Sequence, residues 1–289
     1  MTHAIRPVDF DNLKTMTYEV TDRVARITFN RPEKGNAIIA DTPLELSALV
    51  ERADLDPDVH VILVSGRGEG FCAGFDLSAY AEGSSSAGGG SPYADTVLSG
   101  KTQAINHLPD QPWDPMIDYQ MMSRFVRGFS SLMHADQVIA ASDAKIGYPP
   151  MRVWGVPAAG LWAHRLGDQR AKRLLFTGDC ISGAQAAEWG LAVEAPDAVD
   201  LDERTERLVE RIAAMPVNQL IMAKLALNTA LLQQGVATSR MVSTVFDGVA
   251  RHTPEGHAFV AEARDHGFRE AVKSRDEPFG DAGRKTSGV

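Results

Sequence analysis

Apolar and polar positions alternate through Arg23 to Asn30 (RVARITFN), with Ala25, Ile27 and Phe29 on one side and Arg26 and Thr28 on the other. A period of two marks a half-buried strand. The period then lengthens. Thr42-Pro43-Leu44-Glu45 reads as a capping box, with threonine at the cap, proline in the first helical position and glutamate three residues on. Leu46, Leu49, Val50 and Ala53 share one helical face, and Asp56-Pro57 stops the helix. Val59 to Ser65 (VHVILVS) is mostly apolar and β-branched, the pattern of a strand covered on both faces. Strand, helix and strand in this order predict an α/β layer arrangement.

Further on, glycine becomes dense at Gly66, Gly68, Gly70 and Gly74, and Gly83 to Ser91 (GSSSAGGGS) reads as a surface loop of low complexity. Met122, Phe125, Phe129, Leu132 and Met133 fall at helical spacing within Tyr119 to His134. A strand is expected at Gln137 to Ala141, then a turn-rich stretch from Gly147 to Gly160 with three prolines. A second capping box, Ser182-Gly183-Ala184-Gln185, opens a short helix. From about Asp202 to Arg275 the pattern is helical, with stripes Leu208/Ile212/Met215, Leu220/Lys224/Leu227/Leu231 and Val242/Val245/Phe246/Val249, and Thr253-Pro254 starts the last helix. The division this suggests is an N-terminal extension (1–15), an α/β core (16–195) and a C-terminal helical region (196–289).

Composition narrows the class. The 289 residues are 44% hydrophobic and 23% charged, the balance of a globular protein with a core. No apolar run approaches the roughly 20 residues that span a bilayer, and the N-terminus lacks the apolar stretch of a signal peptide. Two cysteines, Cys72 and Cys180, exclude a disulfide scaffold and favour a cytoplasmic location. A net charge of −9 gives no general attraction to nucleic acid or an anionic membrane. The eight histidines show no metal-ligand spacing, so no metal is expected.

The chemistry concentrates in Gly66 to Leu77 (GRGEGFCAGFDL). A dinucleotide loop of the G-x-G-x-x-G kind lacks its third glycine, because Phe71 stands there. A glycine-rich turn without ligand is a second reading. A third is a sharp bend at Cys72-Ala73-Gly74 that aims a backbone N–H at a ligand oxygen, with Asp76 capping the next helix.

Asn30-Arg31-Pro32 and Asn36-Ala37-Ile38 precede this stretch, and together the segments resemble the enoyl-CoA hydratase/isomerase (crotonase) superfamily, whose members read N-R-P-x-x-x-N-A and F-C-A-G-x-D-L. Ala135 to Gly147, Thr177 to Ala192 and Phe268 to Phe279 resemble further motifs of that superfamily in the same order. The resemblance implies an α/β crotonase-like spiral of ββα turns and a C-terminal helical trimerisation region, giving a homotrimer or hexamer. It also implies an acyl-CoA substrate that brings its own coenzyme A, with no other cofactor. Two backbone N–H groups would hold the thioester oxygen as enolate charge develops there. By position the first donor is the N–H of Ala73. Ala37, Phe71, Cys72, Gly74, Phe75, Asp76, Pro150 and Trp154 would line the substrate, and Arg31 and Lys34 would meet the coenzyme. Cys72 suits the bend by being small, more than as a nucleophile.

The sequence also departs from the family. The glycine-rich segment that carries the second donor is missing before Asp136. Either Asp114 to Ile117 and Arg127-Gly128 replace it, or about 20 residues are absent between His134 and Ala135. The helical stripe of Met121 to Met133 favours the absence. One catalytic carboxylate belongs to that segment, and Pro150, which cannot exchange protons, holds the place of the other. Asp118, Glu69 and Glu82 are weak substitutes, while Asp136 and Asp143 look structural. Three functions therefore compete: an enoyl-CoA hydratase or isomerase, an acyl-CoA-binding protein without turnover, and a dinucleotide-binding oxidoreductase.

Overall fold

A computed structural model describes residues 8–39, 41–74, 76, 135–153, 159–250 and 253–280. The expected helix of Tyr119 to His134, the low-complexity loop, the candidate carboxylates Asp118 and Glu82, and the junction at His134 lie outside these residues. The contacts divide the chain into two units. The first takes the described residues up to Asp76 together with Glu206–Leu227, and the second takes most of the remainder. The C-terminal helices are thus shared between the two.

In the first unit, β1 (Met16–Thr21) and β2 (Val24–Phe29) form an antiparallel hairpin, and β3 (Val61–Gly66) adds to β2 in parallel. The hairpin turns on Asp22 and Arg23, both at positive φ (51° and 66°), as a two-residue turn with this twist requires. The N–H groups of His60 and Val61 donate to the Arg23 carbonyl at 2.8 and 3.2 Å, which pins that conformation. Helix α1 (Asp41–Asp54) supplies the crossover. Its Leu46 and Leu49 pack on Met16, Ile27 and Phe29, while Ala53 meets Ala25 and Val59. Each fully buried leucine of this kind contributes about 1.5–3 kcal/mol. The other face of the sheet, through Val24, Val61 and Leu63, packs on Val209 and Ala213 of helix α5 (Leu201–Ala213). β3 is therefore covered on both faces, as its unbroken apolar text predicts.

The start of α1 differs from the expected capping box. The helix begins at Asp41, two residues before the expected first helical position at Pro43, and the Thr42 hydroxyl accepts the N–H of Ile39 at 3.1 Å. Glu45 turns away from the cap. Its buried carboxylate accepts the N–H of Lys14 (2.7 Å), the N–H of Thr15 (2.9 Å) and the Thr15 hydroxyl (2.6 Å). Three donors to one carboxylate outweigh the single local bond of a box.

In the second unit, the strand expected at Gln137 to Ala141 is reduced to one parallel bridge, Ile139 to Glu194, next to the turn at Ser142-Asp143. β4 (Lys145–Gly147) pairs antiparallel with β5 (Cys180–Ser182). Between them come a 3₁₀ turn (Pro149–Arg152), α2 (Ala159–Leu166) and α3 (Asp168–Thr177). Helix α4 (Gly183–Trp189) carries the predicted capping box, with Ser182 Oγ accepting the Gln185 N–H at 3.1 Å and Gln185 Oε1 accepting the Ser182 N–H at 3.0 Å.

Helices α6 (Val217–Gln233), α7 (Val236–Ala250), α8 (Pro254–His266) and α9 (Phe268–Asp276) complete the chain. Thr253 caps α8 as expected, accepting the Gly256 N–H at 3.2 Å. The expected apolar stripes are inverted or displaced. In α5 the buried positions are Val209 and Ala213, and Met215 is exposed. In α6 no residue is buried, and Ile221, Met222, Leu225 and Leu227 are all exposed. In α7 the polar residues Ser243, Thr244 and Asp247 face inward while Val242, Val245 and Phe246 face out. Ser243 and Thr244 donate to the carbonyls of Ser239 and Arg240, both at 2.8 Å, so their hydroxyls enter the interior already satisfied.

Candidate functional site

The glycine-rich stretch and the Arg31-to-Ile38 segment form one construction in the first unit. Pro32–Lys34 is a 3₁₀ turn that ends on Gly35 and Asn36, both left-handed (φ 58° and 55°). Glycine takes that conformation at little cost, and asparagine is among the few side-chain-bearing residues that visit it. The turn delivers the Asn36 side chain to the interior, where it is almost fully buried. Its Nδ2 donates to the carbonyls of Arg67 (2.9 Å) and Gly70 (2.8 Å), and its Oδ1 accepts the N–H of Arg31 (2.9 Å).

This settles what the glycines do. The Arg67 and Gly70 carbonyls point inward at Asn36, whereas a loop that cradles phosphate must point N–H groups at its ligand. Gly66 is required by crowding: a Cβ there would lie 2.6 Å from the Phe71 carbonyl oxygen. The dinucleotide reading therefore finds no support in the loop's geometry.

Beyond Gly70 the chain bends through Phe71, Cys72, Ala73 and Gly74 to Asp76. The Phe71 ring lies edge-on to Phe29 at 5.1 Å, which anchors the start of the bend to the core. Three backbone bonds then tie it to the facing segment. The Ala73 N–H donates to the Gly35 carbonyl (2.8 Å), Ile38 to Gly74 (2.8 Å) and Asp76 to Ile38 (2.9 Å). The N–H of Ala73, expected as the first oxyanion donor, therefore has the Gly35 carbonyl as its acceptor in this structure. The Ala73 residue is exposed, and Ala37 is buried behind it.

The two cations expected at the coenzyme separate. Arg31 turns inward, donating from Nη1 to the Ala37 carbonyl (2.6 Å) and from Nη2 to Asp76 Oδ2 (2.8 Å). Lys34 stays exposed at the end of the 3₁₀ turn. The Asp76 carboxylate receives Arg31, and the helix that the sequence expects it to cap lies outside the described residues. Burial pushes the Cys72 thiol up, outweighing a backbone hydrogen bond at Gly74 that acts the other way. A thiol held protonated is a poor nucleophile, which agrees with its being there for size.

Of the remaining candidates, Pro150 sits half-buried in the 3₁₀ turn of the second unit, its carbonyl accepting the Val153 N–H at 3.0 Å. Phe75 and Trp154 lie outside the described residues. Glu69 is exposed on the glycine loop, and Asp136 and Asp143 are exposed as well. The residues that the motifs contained but no role was given to are Gly35 and Asn36. The Gly-Asn pair is itself a signal for left-handed backbone, and a buried asparagine there is the natural hub of two loops.

The sequence profile described as enoyl-CoA hydratase/isomerase matches residues 19–271. The chain belongs to the enoyl-CoA hydratase/isomerase family. A protein of Mycobacterium tuberculosis described as a probable enoyl-CoA hydratase is 28% identical over 92% of this chain and 98% of its own length. The hydroxycinnamoyl-CoA hydratase-lyase of Pseudomonas fluorescens is 29% identical over 69% of this chain and 72% of its own. A crystal structure of an enoyl-CoA hydratase from Mycobacterium smegmatis is 80% identical, covers 98% of this chain and 100% of its own, and superposes with a TM-score of 0.83. The α/β fold is therefore the crotonase fold. In this family member both facing segments of the candidate site fall inside the matched span. Among the described residues no helix is long and apolar enough to cross a membrane.

Proposed function

We propose that this protein acts on an acyl-CoA thioester, hydrating or isomerising an enoyl-CoA by stabilising the thioester enolate with backbone donors. The observation that carries the reading is the family match across residues 19–271, which contains the whole Arg31-to-Asp76 construction. Relatives named for hydroxycinnamoyl-CoA, carnitinyl-CoA and benzylidenesuccinyl-CoA substrates support the thioester class while differing in the acyl group. Coenzyme A arrives with the substrate, and no further cofactor is needed. The bend at 71–76 supplies the first oxyanion donor. Since the Ala73 N–H is engaged by Gly35, it takes that part only if the thioester oxygen displaces the Gly35 carbonyl. A backbone donor aimed at the oxyanion is worth about 10²–10³ in turnover. The exposed apolar faces of α6 and α7 support assembly of the cytoplasmic protein as a homotrimer or hexamer.

A second reading, binding of acyl-CoA without turnover, is favoured by two observations. Pro150 offers no proton-transfer group, and the Ala73 amide is occupied. Incubation with an enoyl-CoA, followed by its conjugated-thioester absorbance, separates the two. Decay supports the enzyme; tight binding of acyl-CoA without decay supports the second reading.

A further inference from the structure

We infer that Arg31 and Asp76 are a positioning pair that clamps the bend against the facing segment, and that Arg31 is not a ligand of the coenzyme's phosphates. The inference rests on the acyl-CoA reading above and deepens it. The observation is where the guanidinium goes. Its two terminal nitrogens bridge the Ala37 carbonyl and the Asp76 carboxylate, one on each of the two segments that build the site. The Arg31 side chain is 17% exposed and that of Asp76 7%. Drawing the arginine out to meet a phosphate would take the guanidinium away from a nearly buried carboxylate, an unfavourable exchange.

The clamp also completes a symmetric arrangement. Asn36 holds the near side of the glycine stretch through the Arg67 and Gly70 carbonyls, and its Oδ1 fixes the Arg31 backbone. Arg31 then holds the far end through Asp76. The exposed Ala73 lies between these tethers, and its position depends on both. A guanidinium suits this task because its rigid fork reaches two acceptors in one plane; the ammonium of lysine is a compact charge on a flexible stem without that preset geometry.

A double-mutant cycle on the full chain tests the pair, with Arg31→Gln, Asp76→Asn, both together, and Arg31→Lys. Each is assayed with an enoyl-CoA and with the matching enoyl-pantetheine thioester, which lacks the nucleotide and its phosphates. Binding of the saturated acyl-CoA and acyl-pantetheine is measured alongside by calorimetry. We expect each single variant to lose about ten- to hundredfold in kcat/KM, or in affinity where turnover is absent, equally for both thioesters. The double variant should resemble the singles, and Arg31→Lys should fall between wild type and Arg31→Gln. A loss confined to the coenzyme A substrate, additive losses in the double variant, or no loss would overturn the pairing while leaving the acyl-CoA reading intact. A wild-type protein that neither turns over nor binds either thioester would instead overturn that reading and the pair's role with it. Should Arg31→Gln fail to fold, the near-isosteric Asp76→Asn and Arg31→Lys carry the same comparison between thioesters.

Discussion

Among the described residues, each unit holds a buried arginine–aspartate grouping, Arg31 with Asp76 in the first and Arg152 and Arg275 with Asp276 in the second, and they are put to different uses. In the first unit Arg31 makes two contacts and holds a bend whose tip, Ala73, is exposed. In the second, Arg152 is enclosed on all sides. Its Nε donates to the Thr177 carbonyl (3.0 Å), Nη1 to Asp276 (3.0 Å) and Nη2 to Asp179 (3.4 Å), and the Phe279 ring lies 4.0 Å from its guanidinium carbon. Arg275 adds bonds of 2.7 and 2.8 Å to the same Asp276. One cluster therefore joins the 3₁₀ turn, the end of α3 and the end of α9. The same chemical pair serves as a clamp beside an open surface in one place and as a saturated joint in the other.

The joint should answer first and most strongly to mutation. Arg152→Ala leaves the buried Asp276 without one of its cations, and chemical denaturation should show a loss of about 3–5 kcal/mol. A loss below about 1 kcal/mol would mean that the joint is not structural and that the contrast between the pairs fails. Next in size is Asn36→Ala, which removes three hydrogen bonds at once and should cost about 2–4 kcal/mol by the same measurement. If it cost nothing, the glycine stretch would be held by something other than Asn36.

Acid probes the joint at Asp276. Burial pushes the Asp276 carboxyl up, but hydrogen bonds and charge from Arg275 and Arg152 outweigh it and hold the group below its usual range. A carboxyl lowered on folding contributes stability above its unfolded value, near 3.9, and loses it as pH falls through the folded value. Melting temperature should therefore drop on acidification below about pH 4, and the drop should be shallower in Asp276→Asn. Equal acid profiles for the two proteins would remove Asp276 from the joint. The smallest effect belongs to Lys34→Ala. Stability should stay within about 0.5 kcal/mol of wild type because the side chain is exposed. Any weakening of acyl-CoA binding should appear at low salt and vanish at high salt.

What the sequence displays well is whatever is decided within a few residues. The alternation of β2, the Ser182 box and the Thr253 cap are local bonds, and each is where its pattern places it. The cap of α1 is not, because Glu45 takes partners 30 and 31 residues away, at Thr15 and Lys14. The inward face of α7 departs from its apolar stripe for a related reason: hydroxyls satisfied by their own helix look polar in sequence and behave as buried groups in the fold. The site shows the same division. Its motifs point to two segments that face each other in the fold, but spacing alone does not reveal that the Ala73 N–H finds the Gly35 carbonyl, or that Arg31 turns toward Asp76. Those choices depend on how two distant segments of the one chain lie against each other.

The most direct test of the central claim is the absorbance of an enoyl-CoA mixed with the purified protein at neutral pH, with a calorimetric titration of the saturated acyl-CoA beside it. The account predicts saturable binding together with loss of the conjugated thioester. Neither binding nor loss, in a protein that is folded, would contradict it.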